Sequence, residues 1–150
     1  MFIILSTNLD CPPEKAWNEV KTADLLRRIA APILEFRPEA GTVLPERWVP
    51  GGPDTFRVSL RLLGILPMGR HEIRVRYIDE ERREIYTNER GSMTPVWNHR
   101  ITMRPSEDGK TIYTDELEIK AGWRTPFLWV CTQIFFHYRQ RRWRRIARSV

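Results

Sequence analysis

Cysteine and histidine are scarce in this sequence, and their scarcity excludes several kinds of site. The 150 residues include two cysteines and three histidines. Cys11 and Cys131 lie far apart with no C-x-x-C pair, which excludes a disulfide framework and zinc sites of familiar spacing. Cys131 follows apolar residues, so we interpret it as a small buried apolar side chain on a helix. The histidines are scattered along the chain, and we expect neither a bound metal nor a cofactor.

Long apolar runs and the common catalytic signatures are also missing. The longest apolar stretch lies within residues 127–136 and falls short of the roughly 20 residues that a membrane-spanning helix needs. No segment combines the basic start, apolar run and cleavage site of a secretory leader, so we expect a reduced, cytoplasmic protein. The sequence also lacks a glycine-rich phosphate loop before a helix and a G-x-S-x-G elbow, so it offers no strong nucleophile signature.

What the sequence does contain is a globular composition with a basic C-terminal end. Hydrophobic residues make up 41% and charged residues 29% of the chain, which suits one domain spanning residues 1–150. The formal net charge is +6, and much of the excess lies in an arginine cluster near the C-terminus. We take Arg139, Arg142 and Arg145 as a surface basic cluster and interpret it first as a solvated helix end.

Two further interpretations of the basic cluster stay open. Trp129 and Trp143 could anchor the chain peripherally at an anionic membrane, where arginines would meet lipid phosphates. Nucleic-acid binding is the weaker interpretation, because no recognised motif is present and the basic residues are not spread over a groove-sized surface. We therefore expect no nucleic-acid partner, and the sequence leaves the oligomeric state undecided.

The first part of the chain predicts one strand followed by two short helices. Residues 2–9 are rich in β-prone side chains. Two prolines fit the first turn of a helix from about residue 12 to residue 20, which has apolar residues at helical spacing. Thr22 is placed to cap a second short helix that ends near Pro32.

Period-two alternation dominates from there to about Gly122, interrupted by turn residues, as in an antiparallel meander. The register of residues 83–90 stays open because Ile85 and Tyr86 would point to opposite faces. The final segment changes period: Thr125 is placed to cap a helix, and about 23 residues without Gly or Pro follow Pro126. The fold class is therefore α+β, with about seven antiparallel strands and a long C-terminal helix.

This order of elements resembles the helix-grip superfamily of the SRPBCC type, which includes START lipid-transfer domains, birch-pollen-allergen-like proteins and polyketide cyclases. Residues 9–17, LDCPPEKAW, are similar to the family's opening, in which an apolar residue, any residue, Ala, Pro, three further residues, Val and Trp follow one another. Cys11 and Ala16 stand where the family has Ala and Val. Residues 136–143, FHYRQRRW, are similar to the C-terminal helix of bacterial members.

The resemblance implies a curved sheet that grips the long helix, with a cavity over the concave face. Members range from carriers to cyclases, so the resemblance implies binding of a small apolar or aromatic molecule, as carrier, sensor or sequestering module. It leaves open whether the protein is an enzyme. We expect the loops around Gly51 and Gly91 and the turn of residues 64–69 to gate the cavity. The side chains that we expect to contact the ligand are Phe56, Val58, Leu60, Ile73, Val75, Tyr77, Trp97, His99, Ile101, Leu117, Phe135 and Tyr138.

Three polar residues, His71, His99 and Asp115, share the parity of the apolar lining. Burying a histidine or an aspartate is costly unless it is hydrogen-bonded. Their grouping therefore predicts either a satisfied structural network or a polar spot that orients a ligand or transfers a proton. In the second case His99 and Asp115 would be the acid–base pair of a cyclase or dehydratase that works without a cofactor.

Overall fold

One strand, two short helices, six strands and a long helix follow one another in the described part of the chain, residues 1–50 and 55–150 of the computed structural model. The elements in chain order are β1 (Phe2–Leu9), α1 (Pro13–Val20), α2 (Ala23–Ala30), β2 (Leu34–Pro38), β3 (Phe56–Leu62), β4 (Leu66–Asp79), β5 (Glu84–Gly91), β6 (Val96–Pro105), β7 (Thr111–Lys120) and α3 (Thr125–Ala147). A short 3-10 helix, Gly122–Arg124, joins β7 to α3. This order confirms the one predicted from the sequence. The expected gating glycines Gly51 and Gly52 lie outside the described residues.

The strands form one antiparallel sheet in the order β1-β7-β6-β5-β4-β3-β2. The strands from β2 to β7 therefore form a meander, and β1 pairs with β7 along its whole length, from Phe2 opposite Glu118 to Leu9 opposite Thr111. Helix α3 packs against β1, β7 and α2. A long C-terminal helix held against such a sheet is the α+β helix-grip fold predicted above.

A proline and a capping threonine mark the starts of the two short helices. Pro13 lies in the first turn of α1, where its missing N–H breaks no helical hydrogen bond. Thr22 caps α2, because its Oγ1 accepts a hydrogen bond from Leu25 N at 3.2 Å and donates one to Glu19 O at 2.7 Å. Both helices bury one apolar face, with Trp17 in α1 and Leu25 and Ile29 in α2. They thereby cover the sheet beside α3.

A β-bulge in β4 changes which side chains face inward. Val75 lies opposite Thr87, but Tyr77 lies opposite Tyr86, so Arg76 is one extra residue on β4. The alternation therefore shifts at this point, and Tyr77 is 39% exposed. The prediction that Tyr77 lines the concave face is wrong, because period-two counting fails across an inserted residue.

Helix α3 has one face in the core and one in solvent. Thr132, Phe136, Arg139, Gln140 and Trp143 are buried on the first face, at the spacing that one side of a helix requires. Cys131 lies on the opposite side and is exposed, so its interpretation as a buried apolar residue is wrong. The apolar run around Cys131 favoured burial, but this side of the helix faces solvent, since Val130 and Ile134 are exposed too.

Candidate functional site

A cavity of about 210 Å³ lies between the sheet and helices α2 and α3. Most of its lining is apolar and comes from both layers of the fold. The lining side chains predicted from the sequence are Leu60, Ile73, Val75, Trp97, His99, Ile101 and Phe135.

The other predicted contact residues lie elsewhere. Phe56 and Val58 pack in the core at the β3 end of the sheet, and Leu117 packs in the core beneath α3. Tyr138 donates its hydroxyl hydrogen to Ala31 O at 2.6 Å and so ties α3 to the end of α2. Tyr77 is on the outer face, where its hydroxyl donates to Glu84.

Sequence reasoning missed much of the lining. Part of it comes from helices and loops, which have no alternation to project, and part comes from strands, such as β5, whose register the sequence left open. Helix α3 contributes Leu128, Thr132, Phe135 and Arg139, a spacing of four, three and four residues that marks one helical stripe. That spacing was the available signal. His71, predicted on the lining face, is among the lining residues, and the remaining missed side chains are Val20, Leu25, Leu26, Ile29, Leu34, Phe36, Trp48, Met68, Ile85, Thr87, Glu89, Met93, Thr94 and Tyr113.

His99 lines the cavity and pairs with Asp115, a buried residue that is not itself part of the lining. His99 Nε2 lies 2.8 Å from Asp115 Oδ1, which also accepts a hydrogen bond from the Tyr113 hydroxyl at 2.8 Å. Gln140 Nε2 donates to the second carboxylate oxygen at 3.0 Å. Burial alone would raise the pKa of Asp115, but the hydrogen bond and charge of His99, the charge of Arg139 and the Gln140 bond together lower it. Asp115 is therefore an ionised carboxylate whose oxygens are both occupied.

A second pair, a buried histidine and a partly buried glutamate, joins β4 to β5. His71 Nε2 lies 2.7 Å from Glu89 Oε2, and the Thr87 hydroxyl donates to Glu89 Oε1 at 2.7 Å. Burial would raise the pKa of Glu89, but the His71 hydrogen bond and the charges of His71 and His99 lower it below its ordinary value. Gly91 permits the close approach of the strands here, since a Cβ at this position would lie 2.8 Å from His71 Nδ1.

Arg139 is the cation of the cavity wall. It is only 7% exposed, so its assignment to the surface basic cluster is wrong; the helical stripe turns it inward. Its Cζ lies 4.3 Å from the centroid of the Phe136 ring, a cation–π distance. Arg145 is exposed as predicted, whereas Arg142 is half-buried and donates to Arg28 O at 3.1 Å.

The tryptophans proposed as membrane anchors are engaged within the fold. Trp143 is fully buried, and Trp129 Nε1 donates to Phe2 O at 2.9 Å. No helix in the described ranges combines the length and apolarity needed to cross a membrane. Within residues 1–50 and 55–150, no three His, Cys, Asp or Glu side chains are grouped so that they could hold a metal ion.

A family model, described as a domain of unknown function (DUF8410), matches residues 7–147. The chain belongs to this family. No curated protein matches the DUF8410 chain by sequence.

Solved structures show the same fold at low sequence identity. A Chromobacterium violaceum protein superposes with a TM-score of 0.75 at 14% identity, covering 97% of the DUF8410 chain and 96% of its own. A START superfamily protein from Mycobacterium smegmatis gives 0.70 at 14% identity, covering 99% and 97%. DynU16, a protein in the dynemicin biosynthetic locus, gives 0.57 at 14% identity, covering 93% of the DUF8410 chain and 46% of its own. These similarities identify the fold as START-like helix-grip.

Proposed function

We propose that this DUF8410 protein binds a small apolar or aromatic molecule in the cavity, as a carrier, sensor or sequestering module. The observation that carries the proposal is an unfilled volume of about 210 Å³ beside mostly apolar side chains. Ligand sites are typically of this kind, with an apolar lining and a few polar groups that fix orientation. Here His71, His99 and Arg139 would be those polar groups.

The cavity volume also sets the size of the ligand that we propose. Drug-sized ligands occupy pockets of roughly 300–1,000 Å³, whereas an apolar cavity of about 150 Å³ holds benzene. The volume of about 210 Å³ lies between these values. We therefore expect a molecule of one or two rings, or an aliphatic molecule of that size, rather than a sterol or a two-chain lipid.

Native mass spectrometry of the purified protein, followed by denaturing extraction, tests for a bound companion. A stoichiometric apolar molecule of one- or two-ring size would support the proposal and name the ligand class. The second test is calorimetric titration with neutral aromatic probes, with 2-acetylnaphthalene as the reference compound. A protein that carries no companion and binds no one- or two-ring probe, neutral or acidic, would contradict the proposal.

Leu128→Trp should weaken binding of 2-acetylnaphthalene at least about tenfold, because the larger ring would occupy space that Leu128 borders. Val130→Trp is the matched control on the same helix, at a side chain that is 50% exposed. It should bind within about twofold of the unchanged protein, as substitutions on an exposed surface usually have small effects. Equal weakening by both variants would show that the probe binds outside the cavity.

The His99–Asp115 pair favours a second candidate function, an acid–base enzyme of the cyclase or dehydratase class. A histidine at a cavity wall, held by a buried carboxylate 2.8 Å away, is oriented as a general base or acid requires. For an extracted molecule that the protein converts, His99→Ala should abolish turnover while the affinity stays within a few-fold. An unchanged turnover rate in His99→Ala would remove this candidate and leave the carrier.

A further inference from the structure

Arg139 brings a guanidinium to the cavity wall, where no described residue accepts a hydrogen bond from it. Its side chain lines the cavity and is more than nine-tenths buried. Among the described residues, its guanidinium makes no hydrogen bond or ion pair, and its Nε is buried without a partner. A buried guanidinium has five N–H donors, and leaving them unpaired costs free energy.

The carboxylates of Asp115 and Glu89 accept hydrogen bonds from residues other than Arg139. Asp115 accepts from His99, Tyr113 and Gln140. Glu89 is held by His71 and Thr87. The charge of Arg139 acts on Asp115 through space, but among the described residues no hydrogen bond joins Arg139 to either carboxylate.

The surroundings of Arg139 suit a bound anion better than a purely structural role. The ring of Phe136 lies 4.3 Å from its Cζ, and stacking of this kind restrains a guanidinium while its N–H edges remain available. Such a planar fork matches the two oxygens of a carboxylate. Phe135 and Thr132, on the same stripe of α3, continue the lining beside it.

We infer that the ligand carries a carboxylate that pairs with Arg139, while its apolar body occupies the rest of the cavity. This inference rests on the function proposed above and narrows it from apolar molecules to small aromatic or aliphatic carboxylic acids. The carboxylate provides the acceptor that the described structure lacks. Glu89 lines the same cavity, and its negative charge would repel a carboxylate placed beside it.

Two probes with the same ring system test the pairing. 2-Naphthoate carries a carboxylate where 2-acetylnaphthalene carries a neutral acetyl group. At neutral pH the unchanged protein should bind 2-naphthoate roughly 10- to 100-fold more tightly, the range expected for charge-assisted hydrogen bonds. Arg139→Gln should abolish this preference and bind the two probes about equally. Arg145→Gln removes the same charge from the exposed side of the same helix and should keep the preference.

The outcomes separate this inference from the proposed function. Equal binding of the two probes by the unchanged protein would overturn the carboxylate assignment and leave the apolar site intact. Binding of neither probe would count against both. If Arg139→Gln fails to fold, Arg139→Lys is measured instead, because it keeps the charge and loses the planar fork. A preference reduced several-fold in Arg139→Lys supports the pairing, and an unchanged preference overturns it.

Discussion

Asp115 shows how a single residue sets the electrostatics of the cavity wall. Its carboxylate is 1% exposed, a position in which a lone charge would be strongly unfavourable. Three donors from β6, β7 and α3 make the ionised form the stable one. These three bonds use most of the roughly four acceptor sites of the carboxylate, and among the described residues no hydrogen bond joins Asp115 to Arg139.

Asp115→Asn should lower the free energy of unfolding at neutral pH by about 2–3 kcal/mol. Asparagine has one acceptor oxygen, so its amide would face either the Gln140 donor or the pair formed by His99 and Tyr113. The measurement is urea unfolding. Asp24→Asn is the control, because Asp24 is exposed and lies 3.6 Å from Arg28; it should change stability by less than about 1 kcal/mol.

The difference between Asp115→Asn and the unchanged protein should shrink in acid. The pKa of Asp115 is lower in the folded chain than in the unfolded one, so its stabilisation is complete above the ordinary value of about 3.9. It is lost as the pH falls from there through the folded-state pKa. A difference that stays constant or grows between pH 5 and about pH 2.5 would contradict an ionised Asp115.

At the scale of an element, the two faces of α3 differ, since one packs inward and the other is exposed. Its inner face carries the cavity stripe and the core residues Phe136 and Trp143. Trp143 is fully buried and meets the ring of Tyr113 edge-on, with 6.4 Å between centroids. The outer face exposes Phe127, Val130 and Ile134. The helix is therefore held by large aromatic contacts toward its C-terminal half, while its N-terminal half borders the ligand space.

Trp143→Ala should destabilise the protein by about 3–5 kcal/mol, the range for deleting a buried aromatic side chain. Trp123→Ala is the matched control, since Trp123 is 90% exposed, and it should stay within about 0.5 kcal/mol. Urea unfolding followed by circular dichroism measures both variants. A small effect of Trp143→Ala would mean that α3 is not anchored to the sheet through this residue.

At the scale of the whole molecule, the packing of the helices against the sheet forms the cavity, and polar side chains make part of its wall charged. The fold is shared with a START superfamily protein and with DynU16, from the dynemicin locus, at 14% identity each. A common fold at that distance does not carry a common function. In this chain the polar groups beside the cavity are the His71–Glu89 pair, the His99–Asp115 pair and Arg139, which has no hydrogen-bond partner among the described residues.

Local interactions account for what could be predicted about this molecule. Helix starts, strand alternation and the long final helix depend on caps, prolines and periodicity within a few residues, and Thr22 and Pro13 act as those rules require. The prediction that Thr125 caps α3 is wrong, because Thr125 is the first residue of the helix and its hydroxyl hydrogen-bonds with Ala121 N and Gly122 O. Period-two alternation correctly predicted that Trp97, His99 and Ile101 of β6 point inward. The single extra residue Arg76 is invisible to such counting, so Tyr77 was misplaced.

The sequence by itself determined the order of elements and the placing of His99 and Asp115 on one face, because those features follow from short-range patterns, and its resemblance to a known superfamily implied the helix-grip class. Only the tertiary structure decided that Arg139 points inward while Cys131 does not, and that Glu89 pairs with His71. Those outcomes depend on contacts between elements; Gln140 and Asp115, for example, are 25 residues apart. The partners of a buried charge depend on how the sheet and α3 pack together, so patterns within a few residues do not predict them.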